Sequence, residues 1–122
     1  MPLSYTVQAT VPAAFVSKYM HWLIHDHIAK LVDAGALAAE VRLLDAPPAP
    51  NSTTPPTPPA PPATRLVEAH YTFASREALE GYITNHAPRL RAEGLTAFPP
   101  DLGITFTRTV AEIHGRVPAL EA

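Results

Sequence analysis

Four stretches of the chain show the pattern typical of strands in a sheet that buries one of its faces. The alternation is clearest at Tyr5, Val7 and Ala9, which are separated by threonine and glutamine residues. Apolar residues at every second position place their side chains on the same face of a strand. The four predicted strands cover residues 4–10, 37–44, 65–73 and 104–113. We therefore expect a sheet with one face against a core and one polar face.

Two longer stretches between these strands carry apolar residues at helical spacing. The first predicted helix covers residues 13–34 and is closed by Gly35, a typical residue after a helix C-terminus. The second covers residues 76–93 and follows Ser75, a favourable N-cap residue.

The predicted order is strand, helix, strand, strand, helix, strand. Two βαβ halves with right-handed crossovers form a four-stranded antiparallel sheet with both helices on one face. The sequence therefore predicts an α+β fold of ferredoxin-like βαββαβ order. By its length, the chain of residues 1–122 is a single domain.

Composition excludes several classes of protein. The chain has no cysteine, which rules out disulfides, thiolate zinc sites and cysteine nucleophiles. Its net charge of -2 gives no attraction to nucleic acid or to an anionic membrane surface. No apolar run approaches the roughly 20 residues that span a bilayer. We expect a cytoplasmic protein that binds neither nucleic acid nor membrane and uses no cofactor.

A proline-rich insert separates the second and third strands. Residues 46–63 hold nine of the fifteen prolines, and such a segment prefers extended polyproline II and cannot form a core. We expect a flexible excursion here and a loose C-terminal tail over residues 114–122.

One histidine falls within the apolar stripe of each predicted helix. His27 lies with Val16, Tyr19, Met20, Leu23, Ile24 and Leu31, and His86 lies with Leu79, Tyr82, Ile83 and Leu90. Each histidine can be a hydrogen-bonded core residue, in which case substituting alanine for His86 costs about 1–2 kcal/mol. Alternatively, His27, His86, Tyr82 and Tyr19 line a pocket between helices and sheet, with a histidine as general base or ligand anchor.

Pro88 lies inside the second predicted helix, two residues after His86. Proline lacks a backbone N–H and clashes with the preceding turn, so the helix should kink or restart just after His86.

The polar face of the predicted sheet is a candidate subunit interface. Its candidate residues are Gln8, Arg42, Glu68 and His70. A hydrogen-bonded interface network is the simpler interpretation, and acid–base chemistry by a buried Glu–His pair is the alternative.

Two further groups have simple surface explanations. His21 and His25 have the spacing of a metal-chelating pair, but no third ligand is evident, so we predict no metal site. Arg89 and Arg91 are placed near the end of the second predicted helix, where cations favour the helix dipole. A carboxylate-binding arginine is the functional alternative.

Several of these residues together resemble the uncharacterised bacterial family called domain of unknown function 4286. The resemblance rests on Trp22-Leu23, His27-Ile28, Gly35, Leu37, Tyr82, the run His86-Ala87-Pro88-Arg89-Leu90-Arg91, and Phe98. It implies a homodimeric α/β barrel in which two four-stranded sheets meet face to face. It implies no activity, although relatives of that barrel fold include cofactor-independent monooxygenases, isomerases and haem enzymes.

Two principal hypotheses of function remain. The first is a dimeric binding or structural protein without catalysis, and the second is a cofactor-independent monooxygenase- or isomerase-like enzyme with a histidine-lined pocket. A cavity beside His27 or His86 distinguishes them. Haem or metal binding through a histidine is a further alternative. RNA binding is disfavoured because the third strand lacks the glycines and the aromatic pattern of RNA-recognition domains and the chain is slightly acidic.

Overall fold

A computed structural model describes residues 1–45 and 63–115. Four strands and four α-helices form the fold. They are β1 (Leu3–Pro12), α1 (Val16–Trp22), α2 (Ile28–Asp33), β2 (Ala38–Leu43), β3 (Thr64–Phe73), α3 (Arg76–Asn85), α4 (Ala87–Ala97) and β4 (Thr105–Glu112). Short 3-10 turns at Ala13–Phe15 and Pro100–Leu102 flank the helices.

The strands form one antiparallel sheet in the order β2-β3-β1-β4. The two long strands are central, and Tyr5 of β1 pairs with Tyr71 of β3 and with Val110 of β4. Helices follow β1 and β3 and pack against the same face of the sheet. The predicted α+β, ferredoxin-like fold is confirmed.

The core lies between the helices and this face of the sheet, and it is divided into two clusters. One cluster surrounds Phe73 and Leu79, and the other surrounds Val11 and Leu23. On β3, Val67, Ala69, Tyr71 and Phe73 are all buried. A strand that alternates in this way places its polar residues on the opposite face.

The first predicted helix forms as a 3-10 turn followed by a helical region that ends at Asp33, and it contains a π-helical turn at Leu23–His27. A π turn inserts one extra residue and rotates everything after it relative to an ideal helix. Ile24 is 45% exposed as a result, so its predicted place in the buried stripe was wrong. Gly35 closes the helix with φ +121°, a conformation that side chains rarely adopt.

The second predicted helix is interrupted at His86, as Pro88 indicated. α3 ends at Asn85 and α4 begins at Ala87 with proline in its first turn, where a missing N–H is harmless. Ser75 caps α3 by accepting a hydrogen bond from the Ala78 N–H at 3.2 Å. The buried face is centred on Leu79 and Tyr82.

Two predictions about the second helix were wrong. Ile83 lies beyond the edge of the buried face and is 38% exposed. The helical region continues to Ala97 rather than to residue 93. Pro88 lies in the first turn of a second helix, α4, which covers Ala87–Ala97.

Most of the proline-rich insert lies outside the described residues, and so does most of the predicted tail. The strands that border the insert stay paired up to its edges, since the Leu44 N–H donates to the Leu66 carbonyl at 3.0 Å. Within the described part of the chain, no helix is long and apolar enough to cross a membrane.

Candidate functional site

A cavity of about 290 Å³ separates the two halves of the core, between the helices and the sheet. Its wall takes residues from both core clusters and is rich in aromatic residues. The aromatic residues are Tyr5, Tyr19, Trp22, Tyr71, Tyr82, Phe98 and Phe106. Its other polar residues are His27, Arg91 and Arg108. Such a wall suits a planar apolar molecule with a few directed polar contacts.

Helix α4 lies close to α1 at Gly94, which lines the cavity. A Cβ atom on Gly94 would lie 3.4 Å from the Trp22 ring, which is ordinary van der Waals contact, so a bulky side chain there would extend into the space around the indole. The Trp22 ring in turn stacks on His27, with ring centroids 4.6 Å apart and planes at 22°. The stack fixes the orientation of the imidazole beside the cavity.

His27 is a neutral imidazole near physiological pH. Burial lowers the pKa of His27 to about 4, although the Asp26 and Glu93 carboxylates raise it in part. Its Nδ1 atom is fully buried and has no hydrogen-bond partner among the described residues. A ligand can therefore reach the ring only through Nε2.

The absent partner of Nδ1 also favours one tautomer. An orphaned buried N–H is rarer in proteins than an orphaned acceptor, so we place the single proton of His27 on Nε2. In that tautomer the imidazole donates a hydrogen bond to a ligand. A general-base role requires the other tautomer, with an unpaired N–H at Nδ1.

Three tyrosine hydroxyls of the wall also stay protonated at neutral pH. Burial raises the pKa of Tyr19 and of Tyr82 to about 12, and it raises the pKa of Tyr71 further. These three neutral hydroxyls can donate hydrogen bonds, but they cannot act as general bases at neutral pH.

Arg91 lies in the first half of α4, because that helix continues to Ala97. The prediction that Arg89 and Arg91 stabilise a helix C-terminus was therefore wrong. Arg91 lines the cavity, while Arg89 is exposed and does not. The alternative interpretation, an arginine that binds an anion, now applies to Arg91 alone.

His86 does not line the cavity, so the structure brings together only His27, Tyr19 and Tyr82 of the four predicted pocket residues. The Nδ1 atoms of both His27 and His86 are buried without a described partner. The interpretation of the two residues as hydrogen-bonded core histidines was therefore wrong at Nδ1. The expected cost of His86→Ala loses its basis, because no described partner of that atom would be left unpaired.

The opposite face of the sheet carries a chain of hydrogen bonds across β1 and β3. Gln8 donates to Glu68 at 2.8 Å, Glu68 contacts the Nε2 of His70 at 2.8 Å, and the Nδ1 of His70 lies 3.1 Å from the Thr6 hydroxyl. The His70 and Gln8 hydrogen bonds hold the pKa of Glu68 below its usual value. Arg42 instead forms its ion pair with Glu40, at 2.8 Å.

The exposed histidines of α1 and the π turn lie close together, with the rings of His21 and His25 4.3 Å apart. Within residues 1–45 and 63–115, no group of three or more histidine, cysteine, aspartate or glutamate residues is arranged to hold a metal ion.

Several cavity residues were not singled out as pocket residues by the sequence. Phe106 and Arg108 come from β4, opposite Ala9 and Val7 of β1, and this register turns them toward the helices. The alternation along β4 could have shown that Phe106 and Arg108 lie on the same face of the sheet, but it could not have shown the cavity. Phe98 and Trp22 entered only through the family resemblance.

The sheet order and this cavity define a ferredoxin-like α+β protein with an internal pocket of small-molecule size. Residues 3–113 match the family described as domain of unknown function DUF4286, and the chain belongs to that family. No curated protein is significantly similar to it in sequence.

Solved structures from other proteins share the fold at low sequence identity. One is a dimeric ferredoxin-like protein from an uncultured marine organism, with TM-score 0.61, 11% identity and coverage of 95% of this chain and 98% of that one. Another is a candidate antibiotic biosynthesis monooxygenase from Bacillus cereus, with TM-score 0.63, 13% identity and coverage of 97% and 98%. A third is an ethyl tert-butyl ether (EthD) family protein from Bacillus halodurans, with TM-score 0.62, 12% identity and coverage of 93% and 99%.

Proposed function

We propose that this protein binds a small, planar, largely apolar molecule in the cavity. The observation that carries the proposal is a cavity rich in aromatic residues in the middle of the core, bordered by the neutral His27, whose ring is stacked on Trp22. A void of this size is costly for a small domain, because its lining loses contacts that a packed core would make. A ligand that fills it recovers those contacts.

The size of the cavity limits the ligand. An engineered apolar cavity of about 150 Å³ accepts benzene. The cavity here measures about 290 Å³, which fits a molecule of one or two rings rather than a nucleotide or a haem group. Substituted naphthalenes are therefore suitable first probes.

Gly94 and Gly81 offer a matched pair of variants for testing the site. Both are helical glycines, but a side chain at Gly94 enters the cavity wall, whereas one at Gly81 meets nothing within 4 Å. We expect calorimetry to show that Gly94→Leu weakens binding of naphthalene probes by about tenfold or more, since 1.4 kcal/mol is tenfold in affinity. Gly81→Leu should bind as the unmodified chain does.

The indole N–H signal of Trp22 locates the binding event. The chain has one tryptophan, so its ¹H–¹⁵N spectrum contains one indole resonance, and that ring lines the cavity. A bound probe should shift this resonance. Failure of every naphthalene probe to bind, or equal weakening by both glycine variants, would count against the cavity as the site.

Catalysis by the same cavity is a second candidate function. It is favoured by the neutral His27 and by the fold shared with a candidate monooxygenase, which supports a cofactor-independent monooxygenase- or isomerase-like enzyme. His27 would then have to carry its proton on Nδ1, the less favoured tautomer, and accept the substrate proton at Nε2. Oxygen uptake with 1,4-dihydroxynaphthalene should exceed the rate without protein and fall about 100-fold in His27→Phe. Tight binding of this probe without oxygen uptake would leave the oxygenase candidate unsupported.

We also propose that two copies of the chain associate through the polar face of the sheet. Support comes from the similar fold described as dimeric and from the Gln8–Glu68–His70–Thr6 network at the centre of that face. Because the members of this network hydrogen-bond to one another, its polar groups can be buried with their partners in place.

Thr109 and Thr96 test this interface with the same substitution. Thr109 pairs with Thr6 on the polar face, and Thr96 is exposed on α4, on the other side of the sheet. Light scattering should give twice the chain mass for the unmodified protein and for Thr96→Arg, and the single chain mass for Thr109→Arg. A dimer that persists in Thr109→Arg would exclude this face.

A further inference from the structure

The charge of the cavity wall is opposite to that of the protein. The chain carries a net charge of -2, yet Arg91 and Arg108 both line the cavity and no carboxylate among the described residues does. Both arginines are exposed, which places them at the mouth of the cavity.

Neither guanidinium is neutralised by a described neighbour. Arg91 and Arg108 form no ion pair or side-chain hydrogen bond within the described residues. The nearest acidic residue of α4, Glu93, is held by Lys30 at 2.9 Å, and Asp26 contacts the same ammonium at 3.3 Å. Arg108 instead lies over the Phe106 ring, 5.7 Å from its centre.

The two arginines act on the same part of the cavity. The positive charges of Arg91 and Arg108 both oppose the effect of burial on the pKa of Tyr82, and Arg108 does the same for Tyr19. Coulombic effects of this kind fall off with distance, so both cations lie near enough to Tyr82 for their charges to act on its hydroxyl.

We infer that the ligand is a planar aromatic acid whose negatively charged group meets Arg91 and Arg108 while its ring lies among the aromatic residues of the cavity. This inference rests on the proposed function and adds the chemical class of the ligand. A planar guanidinium binds a carboxylate through parallel N–H donors, and two of them surround one anion.

The other polar groups fit the same ligand. The hydroxyls of Tyr19, Tyr71 and Tyr82 are protonated, and His27 presents Nε2 with its proton. Among the described residues the wall therefore offers donors and cations but no carboxylate. A cationic ligand would meet two like charges at the mouth. A phosphate-rich ligand such as a nucleotide would exceed the volume available.

Three probes of one shape and different charge test the inference. They are 2-naphthoate, the neutral 2-naphthamide and the cationic 2-naphthylmethylammonium, each titrated by calorimetry at neutral pH. We expect the anion to bind about tenfold or more tightly than the amide, as hydrogen bonds to a charged group allow. The cation should bind weakest.

Arg89 supplies the matched control on the same helix. The double variant Arg91→Gln, Arg108→Gln should bind the anion and the amide equally, with little change for the amide. Arg89→Gln should retain the preference, because Arg89 does not line the cavity. Lowered affinity for all probes alike in the double variant would assign the arginines a structural role and overturn the inference.

The outcomes separate the two proposals. If the anion and the amide bind the unmodified chain equally, the ligand class is wrong while the cavity remains a binding site. If no probe of any charge binds, the proposed function itself fails.

Discussion

Replacing Phe73 with alanine is expected to lower the free energy of unfolding by about 4 kcal/mol. The Phe73 side chain is fully buried at the end of β3, and its ring lies 5.5 Å from that of Tyr82. Truncation removes a large apolar group from the core and leaves a void that the surrounding strands cannot close. A domain of this size has only about 5–15 kcal/mol of stability in total. The variant should therefore be close to unfolding at physiological temperature.

Urea unfolding measures this loss, with Phe106→Ala as the matched control. Phe106 also lies on a strand but is 40% exposed at the cavity. Its truncation should cost about 1 kcal/mol, well below the cost at Phe73, because a large part of the side chain is already exposed to solvent. Both variants should keep the slope of the unfolding curve while shifting its midpoint. An equal loss of unfolding free energy in Phe73→Ala and Phe106→Ala would show that the core is not centred where the structure places it.

Acidification is expected to remove about 3 kcal/mol of stability through His27 alone between pH 7 and pH 4. The pKa of His27 is about 4 in the folded protein, against 6.5 for an ordinary histidine. Above pH 6.5 both states hold the neutral ring, and His27 contributes nothing to the pH dependence. As the pH falls from 6.5 to 4, the unfolded chain binds a proton that the folded chain does not. Stability therefore falls over this window and levels off below pH 4.

The variant His27→Phe isolates this contribution from that of the carboxylates. It keeps a flat ring against Trp22 but cannot titrate, so its unfolding free energy should fall by about 3 kcal/mol less than that of the unmodified chain over the same range. An NMR titration of the His27 ring should show a midpoint near pH 4. A midpoint near 6.5, or identical pH profiles for the two proteins, would show that the imidazole is not buried beside the cavity.

The same titration bears on the proposed site. A bound aromatic acid adds a negative charge to the cavity and should raise the pKa of His27, since an anion stabilises the protonated ring. The midpoint in the presence of 2-naphthoate should then lie above that of the free protein. No such displacement is expected with the amide.

Periodicity was sufficient to predict the fold because burial repeats along the chain. Val67, Ala69, Tyr71 and Phe73 face the core because successive strand residues alternate between faces. Ser75 and Gly35 marked helix ends through local chemistry, namely a side-chain hydrogen bond and a positive φ. These features depend on near neighbours in the sequence, and all of them were confirmed.

Helical periodicity was less reliable at its edges. The prediction for Ile24 assumed an ideal helix, whereas the π turn at Leu23–His27 changes which side chains face the sheet. Ile83 was placed by the same spacing but falls outside the buried face of α3. An average period cannot show such departures, because packing against the sheet determines them.

Only some residues of the candidate site could be predicted from the sequence. His27, Tyr19 and Tyr82 were found because they interrupt or extend an apolar stripe. His86 satisfied the same criterion but lies at the break between α3 and α4, away from the cavity wall. A pattern places a residue on a face, whereas a cavity depends on what the opposite surface leaves unfilled.

The sequence by itself determined the order of the elements, the face that each strand buries, the caps, and the restart of the helix at Pro88. The tertiary structure alone decided that a cavity opens between two core clusters and that both Arg91 and Arg108 line it. Arg108 reaches it through the β1–β4 register opposite Val7, and Arg91 through the continuation of α4 past Pro88. The physical reason is range: local conformation follows from neighbouring residues, whereas a cavity and its charge arise from surfaces that meet only when distant segments pack.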